Sequence, residues 1–171
     1  GVQAMLDAVH PAARQRLDGL AQKHAQGQQY EEEYRIVRPD GSVRWVRDRG
    51  YPVHDNKGRL TSITGVTTDI TELQAVNRAL MTLTRCNEAL VRCSTEEDLL
   101  QAVCRAVVEA GGYRMSWVGY VEEGKQRTVR PMFWAGHEEG YVSALNIDLS
   151  DRKTGRGPTA IAVRTGKPAV V

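Results

Sequence analysis

The spacing of apolar residues along the chain changes twice. Residues 10–27 carry one short helical pattern, and residues 30–70 alternate apolar and polar positions as the strands of an antiparallel sheet do. From Thr71 the apolar residues recur every third or fourth position, which is typical of a helix, and after Gly112 the chain returns to short β-runs separated by turns and helices. The pattern therefore predicts an α+β fold.

Two alternating runs flank the turn signal Asp40-Gly41 and predict a β-hairpin. If the turn contained only those two residues, Ile36 would face Trp45, but Glu33 would face Asp48. Like charges directly opposite each other are unfavourable, so the sequence favours a longer loop or a bulge.

A third strand is predicted in the run "RLTSITGVTTDI", because Thr, Val and Ile favour strands. One helix and three strands supply few inward-facing residues, so we expect further elements before Gly1. The first domain is assigned to residues 1–71 as the second half of an antiparallel-sheet domain.

Residues 72–93 are predicted to form a linker helix with a coiled-coil pattern. If Leu73 is at heptad position a, Asn87 is also at a, where a polar residue fixes the register of a parallel dimer. We therefore expect a homodimer through this helix. The pattern is shorter than three heptads, so an amphipathic helix packed on its own domain is the alternative. We call the six spaced residues the seam: Leu73, Val76, Leu80, Leu83, Asn87 and Leu90.

Residues 94–171 are predicted to form a second α+β domain. Ser94 and Glu97 have the spacing of a capping box, and the helix that they open ends at Gly111-Gly112. The aromatic runs "YRMSWVGYV" and "RTVRPMFWAG" predict a hairpin, followed by a short helix, a short strand and a helix from Gly157-Pro158 to Gly166. The strands expected to complete this sheet would lie after Val171.

Composition excludes several classes of function. The 23 Lys and Arg residues nearly balance the 21 Asp and Glu residues, so the net charge of +2 gives no field that would attract nucleic acid. No apolar run approaches the roughly 20 residues of a membrane helix. Three cysteines without CxxC spacing indicate a reducing compartment, so we expect a cytoplasmic location, with an anchor elsewhere in a longer protein left open. The four histidines lack the spacing of metal ligands, and no metal site is expected.

The hairpin and the third strand resemble the C-terminal half of a PAS domain, the PAC motif. The resemblance covers about residues 10–74 and depends on Asp40-Gly41, on Trp45 and on the triplet Asp69-Ile70-Thr71. In PAS domains this triplet ends the last strand and caps the exit helix, and here Asp69 or Thr71 can accept hydrogen bonds from free helix amides. The family's cofactor-holding helix would lie before Gly1, so the cofactor stays unknown.

The stretch from Glu96 onward resembles the first part of a GAF domain, which implies an incomplete α/β sandwich. The motifs are "GGYRMSWVGY", "VRPMFWAG" and "GRGPTAIAVRTGKP". Ala160-Ile161 stands where the family commonly has Gly-Thr, which would make a pocket wall bulkier. The alternative to a pocket is that its aromatic residues pack the core. A pocket for a small-molecule ligand would be lined by Trp117, Gly119, Phe133, Trp134 and Ala135.

A PAS segment followed by a GAF segment resembles bacterial sensor proteins and implies a signalling module. A ligand or partner would bias the packing of the linker helices, and an output domain would read their rotation or register. The sequence contains no GGDEF, EAL or phosphoacceptor His-Glu motif, so we expect no enzyme activity in these residues. The resemblance ranks a downstream diguanylate cyclase first and a sensor histidine kinase second.

A redox enzyme is the remote alternative, because a few proteins of the GAF fold reduce oxidised methionine through cysteines. That chemistry needs an exposed thiolate of low pKa and a resolving partner. Cys86 and Cys93 lie beside the seam, and Cys104 lies in a predicted helix, so none is on the sheet. Disulfides from Cys86 or Cys93 across a dimer would be a different redox input.

Overall fold

The computed structural model describes residues 8–14, 17, 27–122, 124, 127–145, 147–149 and 157–170. The residues form two compact units that divide between Asn77 and Arg78. Each unit holds one three-stranded antiparallel sheet together with helices, which confirms the predicted α+β fold. The predicted first helix is seen at residues 11–14 and at Leu17, and Leu20 lies outside the described residues.

The first sheet consists of β1 (Tyr30–Val37), β2 (Val43–His54) and β3 (Leu60–Asp69), in the order in which they occur along the chain. They form two antiparallel hairpins.

The loop between β1 and β2 runs from residue 38 to residue 42, and Asp40 Oδ1 accepts a hydrogen bond from the Ser42 amide at 2.8 Å. The loop is therefore longer than two residues, as predicted, but the like-charge argument for it does not hold, because the observed register places Glu32 opposite Asp48. Glu33 faces Arg47, and the pairing of Ile36 with Trp45 that a two-residue turn would give does not occur.

The core of the first unit lies between the helical residues near its start and one face of β1 and β2. Tyr34 is only 1% exposed, and it shares this face with Val46, which is its partner in the register. Ile36 and Ile63 pack against the edge of the cluster. The buried residues of this core are Val9, Ala13, Leu17, Tyr30, Tyr34 and Val46.

Two helices follow the first sheet: α1 (Thr71–Arg92) and α2 (Glu96–Glu109). The N-cap of α2 is Thr95, whose hydroxyl accepts a hydrogen bond from the Asp98 amide at 3.1 Å. The predicted capping box of Ser94 and Glu97 is therefore wrong by one residue. The helix ends before Gly111 as predicted, and Gly112 has a φ of 73°.

The second sheet consists of β4 (Met115–Glu122), β5 (Thr128–Gly136) and β6 (Ile147–Asp148), again in chain order. A short helix α3 (Tyr141–Ala144) precedes β6, and α4 (Pro158–Thr165) ends at Gly166, which confirms these predicted elements. The core of this sheet contains Val129, Leu149 and Ala160, with Trp117 and Ile147 packed against them.

Candidate functional site

The exit from the first sheet is fixed by hydrogen bonds between β2 and the start of α1. The Trp45 amide donates to Thr71 Oγ1 at 2.9 Å, and the Trp45 carbonyl accepts from the Ile70 amide at 2.9 Å. Asp69, rather than Thr71, accepts from a helix amide, since its Oδ1 lies 2.9 Å from the Thr71 nitrogen. Bonds from Thr71 also lower the pKa of Asp69. The triplet Asp69-Ile70-Thr71 therefore ties the helix to the strand.

The seam is exposed along the whole of α1. Its apolar members are between 46% (Leu73) and 62% (Leu90) exposed, and Asn87 is exposed as well. A row of large apolar side chains in contact with water is typical of a surface that binds a partner.

A different flank of α1 packs within the second unit. Ala89 is buried, Cys86 and Cys93 are half-buried, and Arg85 Nη1 donates to Glu109 Oε2 of α2 at 3.0 Å. A groove of about 320 Å³ lies between the two helices on this side. The alternative of an amphipathic helix packed on its own domain therefore applies to this flank of α1, whereas the seam is exposed.

A buried carboxyl group lies in the core of the first unit. Asp48 is 3% exposed, and its Oδ2 accepts hydrogen bonds from the hydroxyls of Tyr30 and Tyr34 at 3.3 and 3.2 Å. Its Oδ1 accepts a third from Thr67 at 2.8 Å. Sequence reasoning missed this site, although one signal was present: Asp48 follows Val46 by two residues and so shares its inward face.

We expect the free energy of unfolding of the first unit to fall at high pH. Burial and the nearby Asp48 charge raise the pKa of Tyr30 to about 12, and they raise that of Tyr34 as well. The folded state thus favours the neutral phenols, so their contribution is complete below about pH 10 and is lost as the pH rises through about 12. Urea unfolding at a series of pH values measures the decline. Tyr30→Phe should make it shallower, and an unchanged slope would contradict the assignment.

The structure distributes the predicted GAF pocket residues over both faces of the second sheet. Trp117 lies opposite Trp134, and both share a face with Gly119, whereas Phe133 and Ala135 lie on the face that α2 covers. A Cβ on Gly119 would lie 2.6 Å from the Trp117 ring, so glycine allows this close packing. Trp117 also packs on the core, while Trp134 is 45% exposed.

Cys104 lies at the centre of the contact between α2 and the second sheet. Its side chain is completely buried, and its Sγ donates to the Phe133 carbonyl at 3.8 Å. Burial raises the pKa of the Cys104 thiol. A reactive thiolate requires the opposite shift and access to solvent.

The described residues contain no group of His, Cys, Asp and Glu arranged to hold a metal ion. Within the same part of the chain, no helix has both the length and the apolar composition needed to cross a membrane.

The same two folds are recovered by comparison with known protein families. Residues 1–67 match the family model of the PAS fold, and residues 93–171 match that of the GAF domain. The chain therefore carries a PAS segment followed by a GAF segment, in the predicted order. These two domains define it as a sensory signalling module.

Several solved structures are similar to the chain. The N-terminal domain of a diguanylate cyclase with PAS/PAC sensor from Marinobacter aquaeolei is 24% identical over 43% of this chain and 68% of that one, with a TM-score of 0.40. A sensory box histidine kinase/response regulator from Burkholderia thailandensis is 26% identical over 50% and 64%, with a TM-score of 0.38. The PAS domain of a GGDEF family protein from Chromobacterium violaceum is 33% identical over 40% and 65%, with a TM-score of 0.24. The chain thus spans less than two thirds of the last two, and no curated protein matches it.

Proposed function

We propose that the chain relays a sensory signal through α1, which pairs in parallel with the same helix of a second copy. A small-molecule ligand or a partner on either domain would bias the packing of the paired helices, and a downstream output domain would read the change. The chain itself would transmit the signal and catalyse no reaction. The observation that carries the proposal is the exposed seam on one continuous helix.

The residues beside the seam support close pairing. Between Leu73 and Leu90, heptad positions e and g hold Asn77, Ala79, Thr84 and Cys86. None of these side chains carries a charge at neutral pH, so no like-charge repulsion opposes the approach of two copies. No e–g ion pair is available to choose the register in this stretch, which leaves that task to Asn87.

The attachment of α1 to β2 supports the coupling of sheet to helix. The backbone of Trp45 bonds to Ile70 and Thr71, so a shift of β2 would be passed to the first turn of α1.

We propose a diguanylate cyclase as the output, in keeping with the resemblance of the GAF segment to that class of sensor, and a histidine kinase as the alternative. The free thiols of Cys86, Cys93 and Cys104 support a reducing, cytoplasmic location.

Replacing Asn87 tests the proposal. A leucine at this position would remove a buried polar pair, so Asn87→Leu should tighten association by about tenfold and also yield species larger than dimers, because the register is no longer specified. Sedimentation equilibrium over a wide concentration range measures both effects.

Asn77→Leu is the matched control, since it makes the same substitution on the same helix at the flanking position e. It should change association by less than about threefold. The proposal fails if the parent chain stays monomeric at high concentration and Asn87→Leu leaves it so.

A further inference from the structure

A ladder of charged side chains covers the outer face of the first sheet, opposite its core. Arg49 Nη2 donates to Glu31 Oε1 at 2.9 Å, and Arg47 Nε lies 3.5 Å from the same oxygen. Arg47 also donates through Nε and Nη2 to Glu33 Oε1, at 2.9 and 2.7 Å. The ladder thus joins β1 to β2 at alternate register pairs, Glu31 with Arg49 and Glu33 with Arg47.

Glu33 extends this ladder to the helix. Its second oxygen, Oε2, accepts a hydrogen bond from Gln74 Nε2 at 2.7 Å. Glu33 and Gln74 are both half-buried, so water competes less for this bond than it would on an open surface. One carboxylate therefore binds β2 through one oxygen and α1 through the other.

The helix consequently has two attachments to the same sheet within its first turn. Thr71 bonds to the backbone of β2, and Gln74, three residues later, bonds to Glu33 on β1. The bonds of Ile70 and Thr71 hold only the start of the helix, whereas a further attachment at a different azimuth on the helix surface opposes rotation about the helix axis. Gln74 immediately follows Leu73, so the second attachment also sets the direction in which the seam points.

We propose that the bond between Glu33 and Gln74 is a latch that fixes the rotation of α1, and that its release is the step by which a movement of β1 reorients the seam. The latch is a property of the first unit alone, and only its signalling role rests on the proposed function. A shift of β1 that withdraws Glu33 would leave α1 held only where Ile70 and Thr71 bond to β2, so that rotation of the helix about this point is less restrained.

The first test measures the latch without the dimer. In a Leu83→Asp background, which places a charge in the seam and keeps the chain monomeric, hydrogen exchange is followed at the amides of residues 75–78. Glu33→Ala and Gln74→Ala should each accelerate this exchange by about threefold to tenfold, and the double variant by no more than the larger single effect. Alanine favours helices at least as well as glutamine, so propensity cannot explain the acceleration.

Glu31→Ala is the matched control. It removes the neighbouring carboxylate of the ladder, which does not bond to Gln74, and should leave the exchange of residues 75–78 unchanged. Unchanged exchange in Glu33→Ala and Gln74→Ala, or equal acceleration in Glu31→Ala, would overturn the latch.

The second test reads the rotation in the dimer. With Cys86 and Cys93 replaced by serine, single cysteines are placed on the seam by Val76→Cys or one position before it by Ala75→Cys. The seam position should form the intermolecular disulfide at least about threefold faster, and Gln74→Ala should reduce that ratio toward one. An unchanged ratio together with faster exchange would overturn the rotation. A monomeric chain with no crosslink at either position would refute the proposed function and overturn the signalling role, while the exchange experiment would still decide whether the latch exists.

Discussion

Asp48→Ala is expected to lower the free energy of unfolding of the first unit by about 3 kcal/mol. The Asp48 side chain accepts hydrogen bonds from the hydroxyls of two core residues, Tyr30 and Tyr34, and from that of Thr67, an exposed residue of β3. Removing the acceptor leaves the two buried phenol hydroxyls without it, at a cost of about 1 kcal/mol or more each, and the bond from Thr67 is lost as well. The effect is large because the site excludes the water that would otherwise replace the carboxylate.

Two variants define the origin of this loss. Asp48→Asn keeps one acceptor oxygen and should cost about 1 kcal/mol, and Asp40→Ala, the same deletion in the exposed hairpin loop, should cost about 1 kcal/mol or less. Urea titration followed by the amide resonances of β1 and β2 reports on this unit. A loss below about 1 kcal/mol for Asp48→Ala would show that the hydroxyls find other partners.

Gly136→Ala is expected to destabilise the second unit by about 3 kcal/mol. Gly136 has a φ of 91°, which a residue with a Cβ adopts at a cost of about 1 kcal/mol or more. A Cβ there would also overlap the carbonyl oxygen of Arg114, which cannot move freely because it accepts from the His137 amide at 2.9 Å. The overlap adds about 2 kcal/mol, as overpacking does.

Gly166→Ala separates the two causes. Gly166 has a φ of 66° but open space where the Cβ would lie, so this variant carries only the conformational cost of about 1 kcal/mol. Thermal or urea unfolding of both variants measures the difference. Equal losses for Gly136→Ala and Gly166→Ala would mean that the strand end shifts to admit the methyl group.

The turn between β1 and β2 shows how much of a hairpin the local sequence pattern can predict. Alternation located both strands, and the loop is longer than two residues as predicted, although the observed register still places a carboxylate, Glu32, opposite Asp48. The local pattern could not supply the register, because that depends on how many loop residues hydrogen-bond before pairing begins. The capping box shows the same limit: Ser94 and Thr95 are adjacent and chemically equivalent, and the three-dimensional path of the chain selects Thr95.

The sequence could not show which face of the second sheet each candidate pocket residue of the GAF segment lies on. The register shifts between Val118 and Gly119, whose partners are Phe133 and Pro131. The side chains on the two sides of this bulge therefore do not follow one uninterrupted alternation between the faces of the sheet. The motif "VRPMFWAG" contains no pattern that predicted this bulge. The close packing of the Trp117 ring on Gly119 depends on how the two strands pair.

The order and type of the elements and the positions of the seam followed from the sequence, because they depend on spacing within a short stretch, and the resemblance of the quoted motifs indicated the two domain families. Tertiary structure alone decided that Asp48 collects three hydroxyls and that Gln74 reaches Glu33, which precedes it by 41 residues. The physical reason is that a hydrogen bond forms between side chains that pairing and packing bring within about 3 Å, and the distance along the chain does not constrain which ones those are.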